Sequence, residues 1–140
     1  MALDVISMET GAAGSGWRCI RAGVMSKDDN PVLVYSTFPD RDTAMSIAGE
    51  LVDGKLAACV NVLGEITSIY NWQGRRHADP EVAALIKTRS SLVATVVDFV
   101  SARHPYDNPA LVVLPLVGGS EIFLNWILAE TASAQPGRDG

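Results

Sequence analysis

Between Lys55 and Trp72 the chain reads Lys-Leu-Ala-Ala-Cys-Val-Asn-Val-Leu-Gly-Glu-Ile-Thr-Ser-Ile-Tyr-Asn-Trp, without a proline. Its apolar and β-branched residues, in weak alternation, read as strand. Unbroken, such a strand would span about 55–60 Å at ~3.3 Å per residue. A compact domain of this size has a radius of gyration of only about 13–14 Å. The stretch must therefore fold back at Leu63-Gly64-Glu65, or bend there and overhang its own subunit. We adopt the bend. An overhanging apolar edge requires a partner strand or surface, so a closed homo-oligomer is expected.

The segments around this strand follow a regular order. Val32 to Phe38 forms a short strand bounded by turn residues. Asp40 then suits a helix N-cap, and Asp42 suits the positive end of the helix dipole. Ala44, Ile47, Ala48, Leu51 and Val52 recur at the spacing of one buried helical stripe, and Gly54 is expected to close the helix as its left-handed C′ residue. After the long strand, residues from Asn71 through the polar run Arg75-Arg76-His77 are expected to form a turn. The chain then returns from Pro80 as a strand ending near Thr88, completing a hairpin.

A second helix is expected from about Ser90 to Arg103, with Leu92, Val96, Phe99 and Val100 on one stripe. The connection His104-Pro105-Tyr106-Asp107-Asn108-Pro109 is stiff, because each proline restricts the residue before it. Ala110 to Val117 forms a fourth strand, and Pro115 marks it as an edge or a bulge. Ser120 caps a last helix, with Phe123, Trp126, Ile127 and Glu130 on one side.

The order β-α-β-β-α-β followed by a helix is the ferredoxin-like α+β arrangement, with right-handed crossovers and an antiparallel sheet. Helices are expected on one sheet face only. The first and third strands are nevertheless apolar on both faces, which implies that both are covered. A three-fold assembly of sheets would do this, so a homotrimer is expected. Residues 1–30, rich in Gly, Ala and Ser, form an expected flexible extension; 31–132 form the domain; 133–140 form a flexible tail.

Bulk properties exclude several classes. With 48% hydrophobic and 19% charged residues, the 140-residue chain belongs among folded globular proteins. A net charge of −5 without a basic face excludes a nucleic-acid partner. No apolar run is long enough to span a membrane, and the N-terminus lacks the pattern of a secretory signal. Two widely separated cysteines, Cys19 and Cys59, do not make a disulfide framework. A reducing, cytoplasmic setting is expected.

Several short motifs carry a resemblance. Val34-Tyr35-Ser36-Thr37-Phe38-Pro39-Asp40, Leu56-Ala57-Ala58-Cys59-Val60-Asn61 and Ser68-Ile69-Tyr70-Asn71-Trp72-Gln73-Gly74 resemble the CutA divalent-cation tolerance family. So do Leu85-Ile86-Lys87-Thr88, His104-Pro105-Tyr106-Asp107 and the final Trp126-containing helix. The resemblance runs from about Pro31 to Thr131. It implies a ferredoxin-like homotrimer, similar to PII signalling proteins, with long strands exchanged between subunits. It also implies a role in metal tolerance, copper above all. The chain departs from the family where Arg75-Arg76-His77 replaces the acidic stretch that usually follows the Trp-x-Gly turn.

The candidate metal ligands are Cys59 and His104. A thiolate suits Cu(I) and also contacts Cu(II) or Zn(II), and an imidazole on a stiff loop suits the same ions. The ordinary reading of Cys59 is a small core hydrophobe, and that of His104 a group bonded to a nearby carbonyl. Together they are half a coordination sphere; Glu81, Asp107, water or another subunit would have to complete it. Tyr70, Trp72, Lys87 and Tyr106 are candidates to line a cleft between subunits. The ordinary readings are an apolar stem with a solvated tip for Lys87 and an interface anchor for Trp72.

Hydrolase, nucleotide-binding and dinucleotide-binding signatures are absent from the sequence, so binding rather than catalysis is expected. The leading expectation is a trimeric protein that binds copper or another divalent ion weakly between subunits. Its rival is a PII-like sensor or scaffold that takes a small anion or a protein partner, of unknown identity, in the same clefts.

Overall fold

A computed structural model describes residues 29–133. In chain order it contains β1 (Pro31–Phe38), α1 (Arg41–Asp53), β2 (Cys59–Trp72) and β3 (Arg75–Arg89). A 3₁₀ turn (Ser90–Leu92) then leads into α2 (Val93–Arg103), followed by β4 (Leu111–Pro115) and α3 (Glu121–Glu130). The strands form one antiparallel sheet in the order β2-β3-β1-β4. This is the ferredoxin-like α+β arrangement, with a third helix appended. Most of the expected extension 1–30 and tail 133–140 lies outside the described residues.

Local chemistry sets the helix boundaries. Asp40 is extended, and its carboxylate accepts from the Thr43 N–H at 2.8 Å, which starts α1. Ser120 caps α3 in the same way, accepting from the Phe123 N–H at 3.3 Å. The end of α1 differs from expectation. Gly54 has φ −84°, and the left-handed residue is Lys55, at φ +64°. Lys55 N–H donates to the Val52 carbonyl and Leu56 N–H to the Leu51 carbonyl, the paired bonds of a Schellman motif with Lys55 at C′. Those four residues close the helix, so β2 begins at Cys59 rather than Lys55.

One sheet face carries the core. Val34, Phe38, Val82, Ala84 and Ile86 pack against Ala44, Ile47 and Leu51 of α1 and Val96 and Val100 of α2. Of the expected α1 stripe, Val52 is exposed. The opposite face carries Leu33, Tyr35, Leu85, Val112 and Leu114, which are neighbours in register and none of them fully buried. Helix α3 crosses one end of this second face. Arg89, which alternates with core-facing Thr88, donates to Thr131 Oγ1 at 2.9 Å and to the Leu128 carbonyl. Helices therefore touch both faces, and the remainder of the second face stays open.

Arg89 also binds Asp29 at 2.6 Å, and Asp29 accepts from the Ser91 N–H and hydroxyl. Asp29 and Asn30 thus belong to the ordered fold. Partial burial pulls the Asp29 carboxyl up, but the bonds from Ser91 and Arg89 outweigh this and hold it below the usual carboxylate range.

The long hairpin is the largest departure from a compact body. The β2–β3 ladder shifts register between Val62 and Glu65, where the strand bends. Strand β1 ends at Phe38, opposite Val82, so β3 has no β1 neighbour from Glu81 back to Arg75. From Ile66–Glu81 to Trp72–Arg75 the sheet is only two strands wide, an arm of about 20 Å. The residues expected as a turn, Arg75 to Asp79, are strand; the turn is Gln73-Gly74 alone, both with positive φ (53° and 79°). That is the backbone of a tight type I′ hairpin.

Candidate functional site at the root of the hairpin arm

The arm's root gathers most of the polar side chains singled out from the sequence. Ser68 of β2 donates to Glu81 Oε1 at 2.6 Å, and Tyr106 of the α2–β4 connection donates to Glu81 Oε2 at 2.9 Å. One step further out, Tyr70 donates to Asp79 and stacks on His77, with ring centroids 5.4 Å apart. The alternation of β strands places these groups together. Ser68 and Tyr70 share a face with their cross-strand neighbours Asp79 and His77, and Glu81 lies on the same face of β3. Burial and then the bond to Glu81 push the Tyr106 phenol up to about 12. The bond to Asp79 holds the Tyr70 phenol above its ordinary value.

His104 is buried next to this group. Its Nδ1 accepts the Tyr106 N–H at 3.1 Å, so Nε2 carries the proton and donates to the Thr37 carbonyl at 2.8 Å. The ring stacks on Phe38 at 5.0 Å and is tilted against Tyr106 at 4.7 Å. Both nitrogens of the imidazole are committed within the subunit. Asp107 is exposed on the same connection.

Cys59 and Lys87 stand elsewhere. They face each other in the β2–β3 ladder, and the Cys59 sulfur, half-buried, accepts weakly from the Asn61 amide at 3.9 Å. Lys87 Nζ lies 5.0 Å from the Phe123 ring centroid, a cation–π contact rather than a free solvated tip. His104 meets β1 at Thr37, whose β3 partner is Ala83; Cys59 pairs with Lys87. Four residues of strand separate these positions, about 13 Å. One chain does not bring Cys59 and His104 together. Among the described residues, no three His, Cys, Asp or Glu side chains converge as a metal-binding group.

Trp72 at the arm's end is 52% exposed and Ile69 is 68% exposed. Sequence reasoning missed Ser68, His77 and Asp79. The available signal was the i, i+2 spacing of Ser68 with Tyr70 and of His77, Asp79 and Glu81, which becomes visible only once Arg75–Asp79 is read as strand.

The family model for the CutA1 divalent ion tolerance protein matches residues 32–130, spanning all four strands and α3. The chain belongs to the CutA1 family. It is 40% identical over 112 residues to Protein CutA, chloroplastic, of Arabidopsis thaliana, covering 80% of this chain and 62% of that protein. The divalent-cation tolerance protein CutA of Thermus thermophilus is 39% identical over 99 residues, covering 71% of this chain and 96% of that one. The structure of the periplasmic divalent cation tolerance protein CutA from Archaeoglobus fulgidus superposes with a TM-score of 0.70 at 39% identity, covering 72% of this chain and 98% of that chain. The chain thus spans about six-tenths of the length of the plant relative. The plant relative is chloroplastic and the archaeal one periplasmic by name. Among the described residues, no helix is long and apolar enough to cross a membrane.

Proposed function

We propose that this CutA1 family member acts as a homotrimer that binds copper or another divalent ion weakly, at sites completed between subunits, and so contributes to metal tolerance. The observation that carries the reading is the arm. A two-stranded hairpin is marginal on its own, and this one ends in exposed Ile69 and Trp72. A second subunit would cover those residues, and three subunits would also close the open sheet face. The same assembly offers Cys59 a ligand partner that its own chain does not supply. His104 joins such a site by releasing the Tyr106 N–H from Nδ1, which keeps binding weak and exchangeable. A reducing compartment such as the cytoplasm suits the free Cys59 thiol.

Sedimentation equilibrium comes first, with a mass three times that of the chain as the expected result. Equilibrium dialysis with copper and with zinc then compares wild type, Cys59→Ser and His104→Ala. Lower stoichiometry or affinity in either variant supports the assignment of that residue. Unchanged binding in both removes Cys59 and His104 from the site.

A further inference from the structure

Three segments of the chain meet on the Glu81 carboxylate, at the point where the sheet narrows. Glu81 is the first residue of β3 beyond the end of β1, so the strand that flanks β3 from Val82 to Arg89 is missing from there outward. On the other strand, the register shift at Val62–Glu65 interrupts the ladder one pair, Glu65–Val82, before Ile66, which pairs with Glu81. The root of the arm is therefore the weakest point of the sheet. Two strands without side support, next to a bulge, do not by themselves fix the angle of the arm.

The α2–β4 connection reaches β3 beyond the end of β1, through the Tyr106 hydroxyl. Thr37 accepts from His104, His104 accepts from the Tyr106 N–H, Tyr106 donates to Glu81, and Ser68 donates to the other oxygen of Glu81. This path runs from the end of β1 to both strands of the arm. Its two bonds to Glu81 are charge-assisted, the class that contributes more than neutral bonds; the Ser68 bond is part-buried and the Tyr106 bond exposed.

We propose that Glu81 is a positioning residue for assembly: through Ser68 and Tyr106 it holds the arm at one angle to the body. Ile69 and Trp72 then meet a second copy of this chain without prior reordering. The inference rests on the reading that the arm engages another subunit.

The test uses full-length wild type, Glu81→Ala, Glu81→Gln and Tyr106→Phe, with amide hydrogen exchange and sedimentation equilibrium on each. Glu81→Ala is expected to speed exchange from Ser68 to Trp72 by about tenfold or more and to weaken subunit association by a similar factor. Core amides of β1 and α1 should stay unchanged. Glu81→Gln, which still accepts one hydroxyl and can donate to the other, should recover part of both effects. Tyr106→Phe should fall between wild type and Glu81→Ala. Faster exchange throughout the body in Glu81→Ala would make the residue a general stabiliser and overturn the proposal. An oligomeric wild type whose Glu81→Ala variant associates equally well overturns this proposal alone. A monomeric wild type overturns the assembly reading, and the role in assembly with it.

Discussion

His104 Nε2 lies 2.8 Å from the Thr37 carbonyl, joining the end of α2 to the last residues of β1 across a stack on Phe38. The bond gives the Thr37 carbonyl a donor just beyond Ser36, where pairing with β4 ends, and with the Tyr106 N–H on Nδ1 it fixes the imidazole as the Nε2–H tautomer. His104→Ala removes both ring bonds and opens a void against Phe38. We expect a loss of about 2–4 kcal/mol of stability. Urea unfolding at one fixed protomer concentration measures it, since oligomer stability depends on concentration. His104→Gln, with one donor and one acceptor end, should recover part of the loss.

Tyr106 makes stability depend on alkaline pH. Burial and the Glu81 bond raise the phenol to about 12 in the folded chain, against about 10 unfolded. A group raised by folding contributes fully below its unfolded value and loses that contribution as pH rises through the folded one. Stability should therefore decline between about pH 10 and 12. The melting temperature of Tyr106→Phe should be lower than wild type at pH 8 and fall less over that window. Equal slopes for the two proteins would exclude the phenol as the cause.

At the other end of the scale, Asp29 is held below the usual carboxylate value by Ser91 and Arg89 despite partial burial. Its contribution is present above the unfolded value of about 3.9 and is lost as pH falls through the lower folded value. Asp29→Asn should melt at a lower temperature than wild type at pH 6. The two should converge as pH falls through that lower folded value. A difference that persists undiminished in acid would show that the Asp29 charge is not what matters.

The elements that pack against a core were legible in the sequence. The stripe through Ala44, Ile47 and Leu51, the caps at Asp40 and Ser120, and the bend at Leu63-Gly64-Glu65 each follow from a local rule that the fold does not override. The outer half of β3 was not legible. Arg75 to Asp79 pairs with β2 in an arm exposed on both faces, so no apolar alternation marks it as strand. Pro80 there resembles a break, yet it lies on an open edge of β3, where proline is tolerated in a strand.

The site was half-legible for a related reason. His104, Tyr106, Glu81 and Tyr70 were visible as residue types, and they do gather. Cys59 and His104 are near neighbours in chemistry, not in space, because strand register separates them. Lys55 shows the limit at a single residue. The rule for helix ends points to Gly54, but the Schellman bonds from Lys55 and Leu56 put the left-handed residue one position later.

Gln73 carries the same kind of cost at the arm's end. With φ +53° it occupies a conformation that L-residues other than Asn, Asp and Gly adopt at a cost of roughly 1–2 kcal/mol. Gly74 follows at φ +79°, so the pair already has the backbone of the Asn-Gly turn. The Gln side chain is exposed and makes no bond among those resolved for the described residues. Gln73→Asn should therefore stabilise the arm by a few tenths of a kcal/mol to about 1 kcal/mol. The gain should appear as slower amide exchange at Asn71 and Trp72 and a small rise in melting temperature, with the oligomeric mass unchanged. A faster-exchanging arm in Gln73→Asn would mean that the turn does not adopt this geometry in the assembled protein.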